Sequence, residues 1–102
     1  MRNSDNIELI SGRLGHDPRF ALTKNGNPVC ELSLGIKHEQ NMTIWRKVVA
    51  FGRLAEQCKV HLKKGQEVFV QGRVELKKFI NKEGVEKEYL ELTAFSIGQS
   101  LL

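Results

Sequence analysis

Aromatic rings and a cation share one parity in the stretch Ile44-Trp45-Arg46-Lys47-Val48-Val49-Ala50-Phe51-Gly52, which holds the only tryptophan of the chain. Read as a strand, it sends successive side chains to opposite faces, so Trp45, Lys47, Val49 and Phe51 fall on one side and Ile44, Arg46, Val48 and Ala50 on the other. Both sides mix apolar and basic groups, whereas a strand with one buried face separates them. Two rings with an ammonium between them suit one chemistry in particular: bases stack on the rings while phosphates meet the cation. The plainer reading keeps Trp45 and Phe51 in the core, with Lys47 reaching along apolar surface to the rim. A second stretch bears on the choice. From Glu67 to Ile80, Val68, Val70, Val74, Leu76 and Ile80 share the parity of a core face, which leaves Phe69, Gln71, Arg73, Glu75, Lys77 and Phe79 toward solvent. There Phe79 with Lys77 and Arg73 repeats the pairing of ring and cation, unless a bulge shifts the parity.

Other chemistries find little support. His16, His38 and His61 with Cys30 and Cys58 are scattered over the chain, and Cys58-x-x-His61 reads as a core thiol beside an exposed imidazole, so no metal is expected. Gly12-x-x-Gly15 is too short for a phosphate loop, and no nucleophile elbow or zinc-protease pair occurs. Glu83, Glu86, Glu88 and Glu91 read as a solvated rim near a hairpin rather than an acid–base pair, and Lys59 and Lys63 as ordinary helix surface. No enzymatic activity and no cofactor are expected.

The elements that must position the rings follow from periodicity and turn residues. Ile7 to Leu14 reads as a strand bent at its glycines, ending before the turn at Asp17-Pro18. Phe20 to Thr23 adds a short strand, and Asn25-Gly26 offers the two positive-φ residues of a tight hairpin. Val29 to Lys37 alternates cleanly, with Cys30, Leu32, Leu34 and Ile36 on the core face. After Gly52 the period becomes helical: Leu54, Ala55, Cys58 and Leu62 recur on one face of a helix from about Arg53 to Lys64, with Gly65 at its C-terminal cap. Asn81-Lys82-Glu83-Gly84 joins the Glu67 to Ile80 strand to a last one, Glu88 to Ile97, with Leu90, Leu92 and Ala94 inward. Three strands, a helix and two more long, glycine-punctuated strands give the order of the all-β OB-fold. That fold is a five-stranded Greek-key barrel with one short helix between strands 3 and 4.

Composition is consistent with this. A chain of 102 residues makes one domain, spanning 1–102. Its apolar runs are too short for a membrane span, and the polar start Met1-Arg2-Asn3-Ser4-Asp5 lacks a signal-peptide core, so a cytoplasmic protein with reduced cysteines is expected. A net charge of +4 is modest, and by itself only weakly favours an acidic partner.

Longer motifs carry a resemblance to a known family. Gly12-Arg13-Leu14-Gly15 with Asp17-Pro18, Asn25-Gly26 with Pro28-Val29, the run from Trp45 to Glu56, Leu62-Lys63-Lys64-Gly65, Val70-Gln71-Gly72-Arg73 and Glu91 together resemble the DNA-binding domain of bacterial single-stranded DNA-binding proteins. The resemblance implies an OB-fold that wraps single-stranded DNA without sequence preference in replication, recombination or repair, usually as a homotetramer. It puts Trp45, Phe51 and Phe79 at base-stacking positions and Arg53, Lys64 and Lys78 at positions associated with the backbone; Lys47, Arg73 and Lys77 join them from the pattern of faces. Three departures stand out. The segment His38 to Met42 lacks a further tryptophan common in the family, Phe79 replaces a usual tryptophan, and Leu101-Leu102 closes the chain where an acidic tip usually follows. Recruitment of other proteins through such a tip is therefore not expected. A primosome-type or RNA-binding OB protein, and an OB-fold module for protein–protein interaction, are the alternatives.

Assembly is the last expectation. Ile7 to Leu14 carries apolar residues in both parities, as in a strand covered on both sides, and self-association is the simplest cover. Arg46 stands where a subunit-interface histidine is usual and needs an acidic partner such as Glu67 across the contact between subunits, or a wet edge. A homotetramer is expected, with a dimer if Arg46 finds no partner.

Overall fold

The apolar alternation becomes six strands in the computed structural model, which describes residues 6–100: β1 (Ile7–Leu14), β2 (Arg19–Leu22), β3 (Pro28–Lys37), β4 (Thr43–Phe51), β5 (Glu67–Ile80) and β6 (Glu86–Gln99). The readings that turn on residues 1–5 and on Leu101-Leu102 lie outside the described residues. Helix α1 (Gly52–His61) separates β4 from β5. Pairing runs β1-β5-β6-β4-β3 and returns from β3 to β1, closing a ring of five strands, while β2 pairs with β3 alone. Every ladder is antiparallel except the short β4–β6 contact, Lys47 to Val49 beside Glu91 to Thr93. This is the expected OB barrel, with its helix between the third and fourth ring strands.

Inward residues fill the barrel: Cys30, Leu32 and Leu34 of β3, Val48 and Ala50 of β4, Val68 and Val70 of β5, and Leu92 and Ala94 of β6. Ala55 and Cys58 of α1, with Leu62 just beyond it, join the same cluster. Burial pushes the Cys58 thiol up to about 11, with Cys30 adding to the shift, so the pair behaves as small hydrophobes rather than nucleophiles. Two glycines permit the tightest approaches, since a Cβ on Gly12 would strike the Gly35 carbonyl and one on Gly72 the Thr93 carbonyl. At Gly72 the β5–β6 register shifts by one residue, and the extra residue, Phe95, bulges out on β6. The shift falls on β6, so β5 keeps its parity from Val68 to Val74.

Several local expectations change. The helix ends at His61, not Lys64, because Leu62 turns to extended backbone and buries its side chain while its N–H still donates to Cys58 O. Gly65, at φ +85°, then serves the turn Lys63–Gln66 rather than a helix cap. In the β2–β3 hairpin only Gly26 has positive φ; Asn25 does not, because the loop is wider than two residues and closes through Thr23 and Asn27. The β5–β6 loop repeats this design, with the Asn81 Oδ1 accepting from the N–H groups of Glu83 and Val85. Leu76, Ile80 and Leu90, assigned inward by parity, are exposed, since β5 and β6 run past the barrel as a two-stranded arm with none of the described residues covering that face. No helix among the described residues is long and apolar enough to cross a membrane.

Candidate nucleic-acid interface

Outward residues of neighbouring strands line up in rows, because partners across a ladder point to the same side. One row runs Glu67, Arg13, Gly35, Trp45 across β5, β1, β3 and β4. The next runs Ser33, Lys47, Glu91, Glu75 across β3, β4, β6 and β5, and a third runs Glu31, Val49, Thr93, Arg73. Trp45, Lys47, Val49 and Arg73 thus share the barrel's outer surface. The core reading of Trp45 and Phe51 does not hold: 59% of Trp45 and 51% of Phe51 is exposed.

Trp45 is presented by glycines. A Cβ on Gly15 would lie 2.6 Å from its Cζ3, and one on Gly35 2.8 Å from the same atom, so the ring rests on two bare backbone segments. Any side chain at either position would push it off. The ring separates two recesses, one bordered by His16, Arg19 and Lys47 and the other by Arg13, Lys37 and Thr43.

Lys47 is less free than its parity suggested. Its Nζ lies 3.5 Å from Glu91 Oε1 and 5.1 Å from the centre of the Tyr89 ring. Burial pulls its pKa down most, but Glu31, Tyr89 and Glu91 together outweigh that and hold it above the ordinary lysine value. Glu91 is therefore no part of a solvated rim; with its side chain 12% exposed, it anchors a cation on the outer surface. Tyr89 continues the cluster by meeting Phe79 edge to face, ring centres 5.9 Å apart. Phe79, 47% exposed, stands on the β5–β6 arm in the same parity as Lys77, whose Nζ lies 3.3 Å from Glu75 Oε1.

The remaining expected residues are more dispersed. Phe51 closes β4, and Arg53 follows in the first turn of α1. Lys64 lies beyond the other end of that helix, its backbone N–H donating to Asp17 Oδ1 at 2.8 Å. Lys78 has the opposite parity to Phe79 and so lies on the far face of the arm, 4.0 Å from Glu86. Arg46 pairs within the chain at 2.8 Å with Glu8, not with Glu67: β4's inner parity at that end meets β1, whereas Glu67 lies on the outer row beside Arg13. Sequence reasoning missed Tyr89, Arg13 and Lys37. Alternation held the signal for Tyr89, since Leu90 and Leu92 on one face place Tyr89 and Glu91 on the other. For Arg13 and Lys37 it took the β1–β3 pairing.

Fold and surface together define a class, a closed OB barrel that carries rings and cations along its outer rows. Residues 5–99 match the Single-strand binding protein family, and the chain belongs to that family. It is 31% identical over 97 residues to the single-stranded DNA-binding protein of Neisseria meningitidis serogroup B, covering 87% of this chain and 56% of that protein. Identity is 33% over 92 residues to single-stranded DNA-binding protein 1 of Chlorobaculum tepidum (82% and 57% covered). With the single-stranded DNA-binding protein of Xanthomonas campestris pv. campestris it is 31% over 102 residues (92% and 59%). The chain spans less than two thirds of the length of these relatives.

Proposed function

We propose that this chain binds single-stranded DNA without sequence preference, as a cytoplasmic coating protein of replication, recombination or repair rather than an enzyme. The observation that carries the reading is Trp45, a large ring seated on Gly15 and Gly35 and left more than half exposed among cations. A ring so held offers a π-face to any base, which makes binding tolerant of sequence. Phe51 and the Phe79–Tyr89 pair add platforms, and Arg53, Arg73, Lys77 and Lys47 supply positive charge near them. Lys64 and Lys78, at the helix end and on the far face of the arm, serve a strand that wraps around the barrel.

Titration with oligo-dT and with oligo-rU, followed by Trp45 fluorescence, is the test. Strong quenching by dT that weakens steeply with salt is expected, with a slope of log K against log salt of about −0.7 per phosphate neutralised. Preference for rU would instead favour an RNA-binding member of the fold, and no quenching a protein-interaction module.

Self-association completes the reading. Ile7 and Leu9 of β1 are exposed, and among the described residues the edge of β1 away from β5 is paired only at Arg13 and Leu14. A second copy covers such an edge most simply, first as a dimer and then as a tetramer that brings several Trp45 rings onto one strand of DNA. With Arg46 satisfied by Glu8, no unpaired guanidinium opposes this. Light scattering at micromolar concentration should give a multiple of 11.6 kDa; a mass of one chain would refute it.

A further inference from the structure

The row Glu67, Arg13, Gly35, Trp45 ends a ladder. Beyond Arg13 and Gly35, β1 and β3 are no longer paired, so Ser11 and Lys37, next along the outer face, diverge. A recess opens where they part, backed by Gly12 and Gly35 and walled by Trp45 and Thr43 on β4. Glycine at both positions matters, because a side chain on Gly35 would displace the Trp45 ring and one on Gly12 would strike the Gly35 carbonyl and force β1 from β3. Two cations guard it from opposite strands. Arg13 is steadied by a hydrogen bond from Nη1 to the Gly65 carbonyl at 3.0 Å, which leaves its other N–H groups to donate. Lys37 extends from the last residue of β3, and among the described residues neither cation has an ion-pair partner. Glu67 also lines the recess, one strand behind Arg13, where a carboxylate repels a phosphate that enters deeply and accepts from the amino edge of a base.

From this we infer a nucleotide subsite, resting on the proposed binding of single-stranded DNA: one base enters the recess against Trp45, and its phosphate stays at the mouth between Arg13 and Lys37. The charge pattern sets that orientation, with the acid behind and the bases in front. Trp45 is then the turning point of the track. The strand passes from the recess bordered by Arg19 and Lys47, over the ring, to the one bordered by Arg13 and Lys37.

Removing both cations tests the subsite. Arg13→Ala/Lys37→Ala should lower the magnitude of the salt slope for oligo-dT by about 0.7, the share of the one phosphate they hold on a single strand. Lys59→Ala/Lys63→Ala, which removes the same charge from α1 and the turn after it, should leave the slope as in the unmodified chain. Arg13→Lys/Lys37→Arg should restore it, which separates charge at the recess from any loss of folding. The inference is overturned if Arg13→Ala/Lys37→Ala binds with the slope of the Lys59/Lys63 control, or if the charge-conserving variant fails to restore the slope while remaining folded by circular dichroism. Absence of quenching in the unmodified chain would instead sink the proposed function, a result distinct from either.

Discussion

Strands β5 and β6 pass through two environments, and the difference between them is instructive. In the barrel, Val70 pairs with Ile97 and Val74 with Leu92 within a closed ring, and α1 and β3 contribute to the core they help form. In the arm, Leu76 pairs with Leu90 in the same parity and the same ladder, yet both stay exposed. Alternation along a strand says which side chains share a face. It does not say whether another element lies opposite. The outer face inverts the lesson, because there Trp45 is exposed by design, on glycines, and the arm's Phe79 and Tyr89 hold each other without a core.

The sharpest way to break this comparison is truncation in both environments. Leu32→Ala, inside the barrel and fully buried, should cost about 2–5 kcal/mol in denaturant unfolding. At concentrations where the chain is dissociated, Leu76→Ala should stay within about 0.5 kcal/mol. Equal losses would show that the arm packs against something of this chain. On the outer face the pattern should reverse. Trp45→Ala and Phe79→Ala should each weaken oligo-dT binding by about 1–3 kcal/mol with the thermal midpoint nearly unchanged, and unfolding of either variant would return that ring to the core. Gly35→Ala sharpens the role of the platform. A methyl placed 2.8 Å from Trp45 Cζ3 must shift the ring, so a displaced tryptophan emission and a smaller loss of affinity than for Trp45→Ala are expected. An unmoved spectrum with unchanged binding would mean that the ring is not held by its seat. The smallest effect concerns Glu91→Gln, which frees Lys47 from its partner and should tighten binding at low salt by no more than about 1 kcal/mol, an effect that fades as salt rises.

Much of the molecule was legible in the chain. Periodicity placed the strands and helix α1, and with them the OB order; the run Trp45 to Gly52 marked the strand that presents the rings. These are local properties, written in the alternation of neighbours and in glycine and asparagine at turns. The barrel's closure decided the rest. Whether Leu76 and Leu90 were buried depended on where the ring of strands stops, and Arg46 found Glu8 rather than Glu67 because β1 and β4 meet on the inner parity at that end. Likewise Arg13, Gly35 and Trp45, distant in the chain, became one row only when β1, β3 and β4 were laid side by side. Sequence fixes the direction of a side chain relative to its own strand, a matter of one dihedral period. What it meets there is set by register between strands, a long-range choice that only the folded barrel makes.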